Sequence, residues 1–133
     1  MLDVILKSFE NPDETRRFEK GKFEIVKIGG MTLGRATYEP GWKWSRHVSP
    51  LAGAPLCVIE HVGLVISGRA MAGMQDGREI ELKPGELFHI PAVPHDSWGD
   101  RRRALYFATF SRRRQLHQIR LESRRLKNVI WLS

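Results

Sequence analysis

Cysteine is nearly absent: Cys57 is the only one among 133 residues. No intramolecular disulfide can form and no cysteine-rich zinc framework can be built, so any metal is expected to rest on histidines and carboxylates. No run approaches the roughly 20 apolar residues that span a bilayer, and no membrane span is expected. The opening MLDVILKSFENPDETRR carries acidic and polar residues where a secretory signal needs a basic end and an apolar stretch. A cytoplasmic location is therefore expected. There is no G-x-S-x-G segment and no alternation of strands with helices, which argues against a Ser-His-Asp hydrolase. Glycine-rich phosphate loops, internal repeats and low-complexity tracts are also missing.

The formal net charge is +7, but it is not spread evenly. From Ser111 to the end there are seven Lys or Arg and one acid, so residues 1–110 are close to neutral. A charge argument about partners therefore concerns the tail. Nucleic acid is not an expected partner, and the basic tail is the only reason to test for it.

The chain is long enough for one domain with one core. Residues 1–20 read as an N-terminal arm or short turn, residues 21–110 as the domain proper and residues 111–133 as a basic tail. From Phe23 the pattern becomes short apolar or alternating segments broken by Gly29-Gly30, Pro40-Gly41, Asp76-Gly77 and Pro84-Gly85. Roughly eight short strands follow from that spacing, with Asp76-Gly77 at a hairpin tip. This predicts an all-β sandwich or closed barrel with no helix before the tail. In the tail, Leu116, Ile119, Leu126 and Ile130 are spaced for one helical face. A helix packed on the barrel or a partner subunit, a disordered basic extension, and a nucleic-acid or anionic-membrane contact compete there, in that order.

Three features coincide in the middle of the chain. Pro40-Gly41 is followed by His47; His61 precedes VGLVIS and Gly68; and Pro84-Gly85-ELFHI-Pro91-AVP leads to His95. Together, over about residues 35–110, they resemble the two motifs of the cupin superfamily. Gly41, five residues and His47 match the first motif, and Gly85, five residues and Pro91 match the second. Ser49 stands where the family has a second histidine, His61 where it has a glutamate, and Val93 where it has a glycine. His95 arrives one residue early.

The resemblance implies a double-stranded β-helix, or jelly-roll, barrel and commonly a homodimer. It also implies that His47, His61 and His95 point inward to hold a divalent transition metal. Three neutral imidazoles suit Zn, Ni or Fe(II), whereas loss of the glutamate charge disfavours harder cations. Tyr38, Trp44, Cys57, His89 and Trp98 are expected around that pocket. Cys57, four residues before His61, shares its face if both lie on one continuous strand. It is either a small buried hydrophobe or a soft ligand beside the metal. His89 is read as barrel packing or pocket lining, and His117 as solvated. Two functional classes remain open: a metal-dependent enzyme on a small organic substrate, and a non-catalytic module binding a small molecule in the same pocket. Only Tyr38, Glu39, Asp96 and Cys57 offer a further acid or base.

Overall fold

Gly29 and Gly30 both adopt positive φ, 57° and 77°, as a two-residue type I′ hairpin turn requires. They join β2 (Gly21–Ile28) to β3 (Met31–Tyr38) and set the register Ile28 opposite Met31. A computed structural model describes residues 2–112; the helix expected in the tail, with Leu116, Ile119, Leu126, Ile130 and His117, lies outside the described residues. Within them the expected strands form. Part of the segment read as an arm is β1 (Glu14–Phe18), antiparallel to β2.

Beyond β3 the chain makes two single-turn helices, α1 (Trp44–His47) and α2 (Ser49–Ala52), where no helix was expected. The reason is local: Pro50 takes an opening position of α2, and Gly53 ends it in the left-handed conformation at φ 71°. The remaining strands are β4 (His61–Ser67), β5 (Ala70–Met74), β6 (Glu79–Leu82), β7 (Leu87–Ile90), β8 (His95–Gly99) and β9 (Leu105–Arg112). Asp76 and Gly77 do form the tip of the β5–β6 hairpin, with Met74 N–H donating to the Arg78 carbonyl at 2.8 Å. The strands build two antiparallel sheets, one ordered β1-β2-β3-β9-β4-β7 and the other β6-β5-β8.

Alternation along the strands turns Phe23, Ile25, Ala36, Tyr38, Val65, Ala70 and Leu105 into one core shared by both sheets. Several large rings lie over glycines of the adjoining strand. A methyl group added at Gly63 would come within 2.5 Å of the Phe88 ring, and one at Gly73 within 2.7 Å of Trp98. Gly34 lies likewise beneath Phe23. The segment after β3 lies along β8: Gly99 N–H donates to the Trp42 carbonyl, Lys43 bridges Trp98, and Cys57 bridges His95. Trp42 and Trp44 are buried while Lys43 between them is exposed, so both indoles enter the interior.

Leu105 is 1% exposed. Truncation of such a side chain forfeits its transfer energy and leaves a cavity, so Leu105→Ala should cost about 3 kcal/mol in urea unfolding. Ile80→Ala, at a site 43% exposed, should cost less than about 1 kcal/mol.

Candidate metal centre

His61 opens β4 and His95 opens β8. On β4, His61 shares its face with Gly63 and Val65, the inward one. On β8, His95 shares its face with Ser97 and Gly99, which lie opposite the buried Ala72 and Ala70. The two imidazoles meet edge to face, 5.3 Å between ring centroids. Cys57 reaches them from outside either strand. Residues 58–60 are not strand, so the continuous strand expected to link Cys57 to His61 does not exist. Reciprocal backbone hydrogen bonds of 2.9 Å to His95 hold Cys57 instead. Its Sγ lies 3.3 Å from His61 Nε2. One donor atom from each of Cys57, His61 and His95 falls within 4.8 Å of the others.

The donors fit a metal. Bond lengths of 2.0–2.3 Å in tetrahedral geometry place ligand atoms roughly 3.5 Å apart, so the cluster needs little closure. His95 Nδ1 lies 2.7 Å from the Val93 carbonyl. A carbonyl only accepts, so Nδ1 carries the proton and Nε2 keeps its lone pair in the neutral ring, the arrangement typical of metal-bound histidine. Burial, reinforced by the neighbouring His95, lowers the His61 pKa to about 4. His95 is also lowered, chiefly by burial. Burial raises the Cys57 thiol to about 11, so a metal binding there as to a thiolate must displace its proton.

The other expected site residues take varied places. His47 is buried but stands apart from the cluster: Lys43 N–H donates to its Nδ1 at 3.0 Å within the α1 turn. In the neutral ring this leaves the proton on Nε2 and no free lone pair. Tyr38 packs on Trp42 with ring centroids 4.0 Å apart, and burial raises its pKa. Trp44 is interior. Trp98 does not line the interior, because alternation from His95 turns it to the outer face, over Gly73 and beside Lys43. His89 faces outward for the same reason, opposite to Phe88 and the buried Ile90, and pairs with Glu60 at 3.1 Å. Asp96 also faces out, accepting from Ser45 N–H at 3.0 Å and Ser45 Oγ at 2.7 Å. Glu39 is exposed.

Two features went unread in the sequence. The Val93 carbonyl orients His95, which residue identity cannot reveal because any residue offers a carbonyl. Trp42 Nε1 and Trp44 Nε1 are buried without a hydrogen-bond partner among the described residues. Their spacing around an exposed lysine was the available signal.

Neither a protein-family model nor a curated protein matches the sequence. Solved structures do match in three dimensions. A polyketide cyclase, RemF, from Streptomyces resistomycificus aligns with a TM-score of 0.60 at 15% identity, covering 99% of this chain and 99% of its own. A Rhizobium leguminosarum protein of unknown function gives 0.61 at 17%, covering 85% of this chain and all of its own. Bacillus subtilis oxalate decarboxylase, in a structure described for its Mn(II) centres, gives 0.59 at 16%. This chain covers 83% of itself in that match but only 29% of the decarboxylase. The chain has the cupin fold. Within that cupin barrel, two motif positions, His61 and His95, converge with Cys57, whereas the first motif's His47 is drawn into its own helical turn.

The lowered His61 pKa has a direct effect on metal-free stability. Above about pH 6.5 the ring is neutral folded and unfolded; between 6.5 and about 4 only the unfolded chain takes up the proton. Stability should therefore fall as pH drops through that window, by up to about 3 kcal/mol, and level off below it. Urea unfolding across the range should show this slope, and His61→Asn should flatten most of it.

Proposed function

We propose that this cupin barrel binds one divalent transition metal per chain through Cys57, His61 and His95, and that a small oxygen-bearing organic molecule completes the coordination. The observation that carries the reading is the convergence of three ligands from separate segments within 4.8 Å. One thiolate and two imidazoles form a soft to borderline set, which favours Zn or Ni over Fe(II) and disfavours Mn. When bound, such a metal supplies Lewis acidity to an oxygen ligand or to water. The chain's own residues fix its surroundings. The Val93 carbonyl holds the His95 tautomer. A reducing cytoplasm, where a lone thiol stays available, suits this centre.

A second reading, a non-catalytic binding module, rests on the acids. Glu60 and Asp96 turn outward and Tyr38 is packed against Trp42, so none serves the cluster as a proton donor or acceptor. Under that reading the barrel binds its small molecule equally well after His61→Ala or His95→Ala.

Elemental analysis of untagged protein incubated with Zn, Ni or Fe(II) should find about one metal per chain. His61→Ala and His95→Ala should weaken binding more than about tenfold, and His47→Ala should leave it intact. With Co(II) as the probe, a near-ultraviolet thiolate charge-transfer band should appear and be lost in Cys57→Ser. Wild type that takes up no metal, or both histidine variants that retain it, would sink the metal centre.

No helix among the described residues is long and apolar enough to cross a membrane. The homodimer implied by the resemblance is part of the proposal. Val62, Leu87 and Tyr106 share the outer face of the larger sheet and are 40%, 76% and 40% exposed, a patch that a second copy would cover. Light scattering should report a dimer for the full chain and a monomer for Leu87→Asp. A dimer that persists without residues 111–133 would exclude the tail from the interface.

A further inference from the structure

Arginines gather at the end of the barrel away from the Cys57 cluster. Arg69 lies on the β4–β5 turn, and Arg101, Arg102 and Arg103 follow one another between β8 and β9. Strand β4 runs from His61 to Ser67 and β8 from His95 to Gly99, so both start at the cluster and end at these arginines. At ~3.3 Å per residue, six residues of strand separate the two ends by about 20 Å.

Backbone packing braces the two connections against each other. Gly68 adopts φ 84°, and a side chain there would collide with the Ala104 carbonyl. Gly41 N–H donates to the Asp100 carbonyl at 2.9 Å, and Asp100 Oδ1 accepts from Arg102 N–H at 2.9 Å. Between the connections lies a cleft of about 480 Å³ lined by Arg69, Arg102, Arg103, Glu81 and Asp100, with the Gly68 and Pro84 turns leaving it open. Glu81 is engaged by Arg69 at 2.6 Å, and Asp100 by the loop backbone. Among the described residues, no ion pair joins the Arg102 or Arg103 guanidinium to a carboxylate. Two adjacent cations on a braced loop repel one another, and an anion relieves that repulsion. Guanidinium groups match phosphate oxygens in a bidentate fork.

We propose that this cleft is a second ligand site, separate from the metal centre, that binds the diphosphate group of a small molecule through Arg102 and Arg103 with Arg69 at its edge. The probe is inorganic pyrophosphate, titrated calorimetrically into the full chain at low ionic strength. Saturable binding should weaken about tenfold or more in the Arg102→Ala/Arg103→Ala double variant. Arg102→Lys, which keeps the charge and loses the fork, should fall between. An unchanged thermal midpoint would show that the exposed substitutions leave the fold intact. No binding by wild type, or equal binding by the double variant, would overturn the proposal. So would loss of binding on replacing Arg112, Arg113 and Arg114 by alanine, which would place the anion on the C-terminal basic segment. Tighter binding of a DNA duplex than of pyrophosphate, through the same arginines, would overturn it in favour of a nucleic-acid surface.

Discussion

Two backbone hydrogen bonds between Cys57 and His95, each 2.9 Å, set the geometry on which the candidate centre depends. They close an antiparallel bridge between a loop residue and the first residue of a strand. Such a bridge fixes the direction of both side chains at once, because paired residues in a ladder project to the same face. Cys57 and His95 must then point together into the interior. His61 needs only the inward phase of its own strand to meet them. Were the bridge absent, the stretch after β3 would have no fixed phase relative to β8, and a thiol four residues from a histidine would carry no spatial meaning.

The fold was largely legible because it is written in local chemistry. Gly29-Gly30 and Asp76-Gly77 are turn signals whose backbone requirement is visible in residue type, and the strands between them alternate. What escaped was cooperative. The strand β1 is mostly polar and forms because β2 offers it an edge, and α1 and α2 are single turns too short to leave a periodic signal. The site was legible in part. His61 and His95 sit at motif positions on strands, where alternation predicts direction. His47 sits in a segment with no such rule, and a lone backbone amide, Lys43 N–H, decides its orientation. Trp98 and His89 were expected around the pocket, but the same alternation that turns His95 and Ile90 inward turns both outward.

Charge and polarity are sorted along the barrel as well as across its wall. One end concentrates neutral donors held dry by the core, and the other concentrates guanidinium groups in water. A buried metal and a solvated anion ask for these opposite surroundings, since low dielectric favours coordination by neutral imidazoles whereas phosphate recognition tolerates, and is screened by, solvent.

The rings seated over Gly34, Gly63 and Gly73 carry an implication for descent. Each ring and its glycine form a lock in which neither half can drift alone: a side chain at the glycine collides, and a smaller residue in place of the ring bares the backbone of a strand. Replacement by a different pair of residues requires two changes, with a destabilised intermediate between them. Two of these locks lie inside and the third, Gly73 with Trp98, on the outer face, so lineages carrying this barrel would diverge first in their loops while the packing of the strands stayed put.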